Sequence, residues 1–124
     1  MGTSATIIAK KGDSYHAIYN NYDGYPEYLL KMLQENYQDD NKVQKLVALG
    51  DVSYVSEEVD IPEGCDHSYN NPQKSITVAY GRDRGESGTS CRVYKSLDEA
   101  MSDEDTQYHY FWDGNGWQDV SREL

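Results

Sequence analysis

Residues 5–20, Ala5-Thr6-Ile7-Ile8-Ala9-Lys10-Lys11-Gly12-Asp13-Ser14-Tyr15-His16-Ala17-Ile18-Tyr19-Asn20, set the fold class. Two β-prone segments, 5–10 and 14–20, flank Lys11-Gly12-Asp13, whose Gly and Asp are turn residues. The stretch reads as a β-hairpin. Strand side chains alternate between faces, so Tyr15, Ala17 and Tyr19 share one face and His16 and Ile18 the other.

Downstream of the hairpin the apolar period changes from two to that of a helix. Asp23-Gly24-Tyr25-Pro26 is a turn into a helix over 26–38. Pro26 is accommodated in a first helical turn and Glu27 favours the positive end of the dipole. Leu29, Leu30, Leu33 and Tyr37 fall at helical spacing, with Met32 beside them. Asp39-Asp40-Asn41 ends this helix and caps a second over 41–49, whose buried stripe is Val43, Leu46, Val47 and Leu49 and whose stop is Gly50. The two helices are expected to pack on one sheet face.

Residues 51–73 lose periodicity. Glu57-Glu58-Val59-Asp60, Pro62-Glu63-Gly64 and Asn70-Asn71-Pro72 are loop-like, and an irregular, exposed and mobile connection is expected there. Lys74–Tyr80 alternates as a strand, expected to pair with 90–94 across the polar loop 81–89. Ser96-Leu97-Asp98-Glu99 is a capping box opening a short helix over 97–103. A second hairpin, 106–112 and 116–120, closes around Asp113-Gly114-Asn115-Gly116. Tyr108, Tyr110 and Trp112 point to one side of it, His109 and Phe111 to the other. The order β-β-α-α-loop-β-β-α-β-β gives an α+β fold of antiparallel hairpins forming a mixed sheet, expected as a single domain over 1–124.

Composition bounds the function. Twenty-two Asp and Glu oppose eleven Lys and Arg, a net charge of −11 that disfavours direct binding of nucleic acid or anionic membrane. Twelve tyrosines against two tryptophans and one phenylalanine supply ring packing with a wet hydroxyl. No apolar run reaches the ~20 residues of a membrane span. The N-terminal stretch lacks the basic start and apolar run of a secretory signal. Gly2–Thr6 match the bare N-myristoylation pattern, although only Lys10 and Lys11 lend it basic support. The expectation is the ordinary start of a cytoplasmic chain. Cys65 and Cys91 are then expected as reduced thiols.

No motif assigns catalysis, a metal or a cofactor. Cys65-Asp66-His67, with Cys91 and His109 elsewhere, invites a zinc or thiol-nucleophile reading, but no second paired spacing supports zinc, and two ordinary thiols is the plainer reading. Asp113–Trp117 fails as a calcium loop because Trp117 stands where an oxygen ligand is needed. Gly81-Arg82-Asp83-Arg84-Gly85-Glu86 concentrates two arginines that could grip a carboxylate or phosphate, against a plainer reading as a solvated loop paired with its own acids. From Ser96 to Asp119 there are seven carboxylates and no Lys or Arg. Asp98, Glu99, Asp103, Glu104 and Asp105 within it are the candidate acidic binding surface.

Met1-Gly2-Thr3-Ser4, Tyr22-Asp23-Gly24-Tyr25-Pro26, Ala48-Leu49-Gly50-Asp51 and Ala79-Tyr80-Gly81-Arg82-Asp83-Arg84-Gly85-Glu86 occur here in that order. The series resembles a group of small, uncharacterised phage and prophage proteins, over about the first two-thirds of the chain. Members often carry Arg after Met-Gly-Thr and His or Trp before Asp-Gly-Tyr, where this chain has Ser4, Asn21 and Tyr22. The resemblance brings no active site. It implies expression in a bacterial host cytoplasm during infection or lysogeny.

Three functions are therefore weighed. One is a phage accessory protein that engages a host protein with a basic surface, a nucleic-acid-handling or defence enzyme, through the acidic, tyrosine-rich surface. Another is a small enzyme or ligand-binding protein whose cleft joins Asp23 and Tyr25 to Arg82, Asp83, Arg84 and Glu86. A structural or oligomeric phage component is a third, plainer possibility.

Overall fold

The computed structural model describes residues 3–121. Met1 and Gly2, which open the phage resemblance and carry the lipidation pattern, lie outside the described residues. Strands β1 (Ala5–Lys11) and β2 (Ser14–Asn20) form the expected hairpin, with Ala5 opposite Asn20 and Lys11 opposite Ser14. Five consecutive residues of β1, Ala5 to Ala9, are buried. A strand buried on both faces needs cover on both, and it has it. Ala5, Ile7 and Ala9 join Ile18 in a core under the first two helices, whereas Ile8 joins Ala17 in a second core under the last helix.

The first helical segment starts as a π-helical turn, Pro26–Leu30, in which Lys31 N–H reaches back to Pro26 O, and continues as α1 (Lys31–Asn36). It ends before Tyr37, two residues short of the expected 38. Tyr37 is fully buried beyond the helix end. Helix α2 (Asp40–Ala48) follows with Val43, Leu46 and Val47 buried. The expected Asp39 cap makes no capping bond. Asp40 Oδ1 instead accepts from Trp112 Nε1 at 2.8 Å, tying α2 to the last hairpin.

Strand β3 (Val52–Tyr54) leaves α2 and meets β2 in parallel at Asn20 and Val52. The connection expected to be irregular and exposed over 51–73 is thus ordered over its first nine residues: Val52, Ser53, Val55, Ser56 and Val59 are buried. The physical reason is that side chains from elsewhere satisfy its backbone. Tyr28 OH donates to Val55 O at 2.8 Å, Tyr37 OH to Ser56 O at 2.6 Å and Lys42 Nζ to Glu57 O at 2.7 Å. The tips, Pro62–Gly64 and Asn70–Pro72, are exposed as expected, as are Glu58, Asp60 and Asp66.

The strand expected over 74–80 shrinks to β4 (Val78–Ala79), and its partner is β3 rather than 90–94. Ser75 has φ 71°, which breaks the extended run. Ile76, Thr77, Val78 and Ala79 are all buried, so the apparent alternation does not mark one wet face. Tyr80 opens a short helix, α3 (Tyr80–Arg84), within what reads from sequence as a polar loop. Strand β5 (Arg92–Tyr94) pairs antiparallel with β2 instead.

Helix α4 (Leu97–Asp103) begins as the capping box requires: Ser96 Oγ accepts from Glu99 N–H at 3.1 Å. The closing hairpin is β6 (Tyr108–Trp112) and β7 (Trp117–Asp119). Asp113 Oδ1 takes the N–H groups of Asn115 and Gly116, which explains the turn without an ion. Tyr110 and Trp112 enter the first core and Phe111 the second, the facing expected from their alternation.

The result is an α+β fold with a mixed seven-stranded sheet, ordered β4-β3-β2-β1-β6-β7, with β5 also on β2. Strand β1 lies between antiparallel β2 and parallel β6. The first two helical segments share the first core and α4 the second.

Gly50 stops α2 at φ 80°, and a Cβ there would sit 2.2 Å from Thr89 O. Gly64 has the same φ in open space. Gly50→Ala is therefore expected to cost about 2–4 kcal/mol and Gly64→Ala about 1 kcal/mol, the difference being the clash rather than the backbone strain. Urea unfolding of both variants reads this directly, and equal costs would contradict the close approach.

Candidate functional site

The arginine loop is built into the fold. In α3 the Asp83 side chain is 1% exposed and the His67 ring 0%. Gln73 N–H donates to His67 Nδ1 at 3.0 Å, so Nε2 carries the imidazole proton and faces Asp83 Oδ2 at 3.1 Å. The same carboxylate accepts Ala79 N–H at 2.8 Å and Arg82 Nε at 2.8 Å. Arg82 extends the clamp to the carbonyls of Val59 and Thr77. Burial pushes the Asp83 pKa up, but the bonds from Arg82, Ala79 N–H and His67 outweigh it and hold the group below its ordinary value. Arg82 and Asp83 thus fasten residues 59–77 to α3, and the Asp83 carboxylate is buried in that clamp rather than open to a ligand. Arg84 stays exposed, over the Tyr69 ring at 4.8 Å and 3.8 Å from Glu86.

Exposed residues 85–88 separate two clefts. The first, about 380 Å3, is lined by Tyr19, Asn21, Asp51, Tyr80 and Arg84 together with the 86–89 loop. Its floor is hydrogen-bonded in series: Tyr19 OH donates to Asn21 Oδ1 at 2.9 Å, and Asn21 Nδ2 donates to Tyr80 OH at 3.1 Å. Neither Asp23 nor Tyr25 lines it. Gly24 N–H is held by Thr3 O, and Gly24 O accepts from Tyr110 OH at 2.7 Å, so the turn is anchored to the sheet end beside β1 and β6. Asn21, rather than the Asp-Gly-Tyr turn, bonds Tyr80 and shares the cleft with Arg84 and Glu86. The second cleft, about 600 Å3, lies on the other side and is lined by Leu49, Gly81, Arg82, Ser90 and Cys91 among others.

The acidic surface also divides. Asp98, Glu99, Asp103 and Asp105 are exposed, but Glu104 is buried and leaves the expected set. Its carboxylate takes Arg92 Nη2 at 2.7 Å and Nε at 3.0 Å, while Arg92 Nη1 reaches Asp51 Oδ1 at 2.7 Å. Tyr94 OH faces both Asp103 and Glu104. Burial raises the Glu104 pKa, yet Arg92 and Tyr94 outweigh it and leave the group below its ordinary value. The Glu104 bond, ahead of Asp51, raises the Arg92 pKa against the opposing effect of burial.

Residues that the sequence reading does not place in a site, although two of them lie in the quoted motifs, join the clefts and clamps here. Asp51, Arg92 and Tyr80 lie far apart in sequence, with no spacing to announce them. Cys65 and Cys91 are both free thiols, and the imidazole beside Cys91 is that of His16, at 3.8 Å, rather than His109. Among the described residues no group of three or more His, Cys, Asp or Glu is placed to hold a metal ion. No helix among them is long and apolar enough to cross a membrane.

Asp83 has a depressed folded pKa, so its stabilisation is full above the unfolded carboxylate pKa of about 4 and is lost as pH falls through the folded value. Asp83→Asn is expected to cost about 2–4 kcal/mol at pH 7, with the gap to wild type narrowing towards about pH 3. Denaturant unfolding at several pH values measures that gap, and a constant gap would remove the ionised clamp.

Compared with known proteins, the chain matches no family model, no curated protein and no solved structure.

Proposed function

We propose that this chain is a phage accessory protein that binds, and thereby inhibits, a host protein with a basic surface in the bacterial cytoplasm. The observation that carries this reading is the exposed carboxylate set Asp98, Glu99, Asp103 and Asp105 on and after α4, within a stretch from Ser96 to Asp119 that has no Lys or Arg. Two of the chain's arginines, Arg82 and Arg92, are engaged with Asp83, Glu104 and Asp51. A net charge of −11 attracts a cationic protein and repels nucleic acid, and charge of this kind speeds encounter. The phage resemblance supplies the setting, and nucleic-acid-handling or defence enzymes are host proteins that present basic grooves.

A second reading has its own observation, the cleft of about 380 Å3 floored by Tyr19, Asn21 and Tyr80 with Asp51 and Arg84 at its sides. Ring faces beside amide, carboxylate and guanidinium groups suit a small polar ligand.

The test is affinity capture from bacterial lysate at low and moderate salt, followed by a binding assay with the purified partner. The joint variant Asp98→Asn, Glu99→Gln, Asp103→Asn, Asp105→Asn is expected to weaken binding about tenfold or more and to flatten its salt dependence. Glu104 is left intact so that the Arg92 contacts stay closed. Unchanged affinity in the joint variant removes the acidic surface as the binding face. Recovery of no specific protein at either salt moves the cleft reading first, and a thermal-shift screen of small polar ligands then tests it.

A further inference from the structure

Cys91 immediately precedes β5, at the wall of the cleft of about 600 Å3. Its Sγ lies 3.8 Å from His16 Nδ1. The pair is set by sheet register: His16 stands opposite Val93 in the β2–β5 ladder, two residues on from Cys91. The imidazole thus stands on a paired strand and the sulfur one residue before that strand's partner. Burial first, and the nearby Lys11 charge second, hold His16 below its ordinary pKa and favour the neutral ring, whose Nδ1 faces the sulfur. The other thiol, Cys65, sits in a turn closed by its own N–H to Pro62 O at 3.0 Å and has no side-chain hydrogen bond among the described residues.

We propose that Cys91 is a base-assisted nucleophilic thiol that exchanges with small disulfides entering this cleft, with His16 as the proton acceptor. In the step, the Cys91 S–H proton passes to His16 Nδ1 as the sulfur attacks one sulfur of the incoming disulfide. The incoming S–S bond breaks, a new Cys91 Sγ–S bond forms, and the departing thiolate takes the proton back as a free thiol. Cys91 is oxidised, half of the small disulfide is reduced, and no further oxidant is needed. Glu86 shares the cleft wall, and the two terminal nitrogens of Arg82 are turned to the carbonyls of Val59 and Thr77. With a net charge of −11 on the chain, uncharged or cationic disulfides are the preferred class.

The experiment uses the full chain and the uncharged probe bis(2-hydroxyethyl) disulfide, following each cysteine by peptide mass spectrometry over time. Cys91 is expected to react about tenfold faster than Cys65 in the native protein, and His16→Asn to slow Cys91 about tenfold while leaving Cys65 unchanged. The native preference is also expected to vanish in concentrated urea, a reading that needs no variant should His16→Asn not fold. Equal native rates, a preference for Cys65, or a preference for Cys91 that persists in urea each overturns the proposal. A folded His16→Asn variant in which Cys91 reacts at the wild-type rate overturns it as well.

Discussion

Everything in this fold is arranged around the burial of one strand. β1 has hydrogen-bonded neighbours on both edges and packed cores on both faces, with Ile7 in one core and Ile8 in the other. Fully burying an isoleucine stabilises by about 1.5–3 kcal/mol, but a strand in this position must also pair all its backbone groups. β2 satisfies one edge through a short turn. The other edge is satisfied by β6, which arrives in parallel from near the opposite end of the chain. Closing that long loop is the entropic cost that the remaining contacts must offset.

Those contacts work by pinning irregular backbone with side chains. Segment 55–59 has little ladder of its own, yet Tyr28, Tyr37, Lys42 and Arg82 each donate to one of its carbonyls. Tyr37 takes part from both ends: its hydroxyl meets Ser56 O and its backbone carbonyl accepts Trp117 Nε1 at 2.8 Å. Burial pushes the Tyr37 pKa up, so the ring stays neutral and remains a donor. The abundance of tyrosine therefore has a structural use here, since a tyrosine can fill apolar space and still end on a carbonyl.

Charge is divided between inside and outside in the same manner. Arg82 and Arg92 each join segments far apart in sequence, the first linking α3 to residues 59 and 77, the second linking β5 to Asp51 and Glu104. Removing one partner of such a partly buried pair leaves the other charge uncompensated, which is costly. Their second effect is on charge balance, since Arg92 is engaged with Glu104 and Asp51 and Arg82 with Asp83. Fold and surface charge are thus coupled through the same side chains.

The sequence by itself determined the features that depend on near neighbours. The first hairpin and the facing of Tyr110, Trp112 and Phe111 follow from period-two alternation. The two amphipathic helices follow from 3.6-residue spacing, and the Ser96 cap from a contact three residues long. The size of the acidic excess was also legible, as were four of the five proposed surface acids by position. Only the tertiary structure decided what depends on partners distant in sequence. The parallel match of β1 to β6, the pairing of β4 with β3 and the order within 51–59 rest on hydrogen bonds across tens of residues. Glu104 looks like its exposed neighbours until Arg92 meets it, and Asp83 looks like a loop acid until His67 and Ala79 N–H close over it. Local pattern reports which face a residue prefers; which group it meets there is settled by packing, where the loss of water makes an unmade hydrogen bond costly.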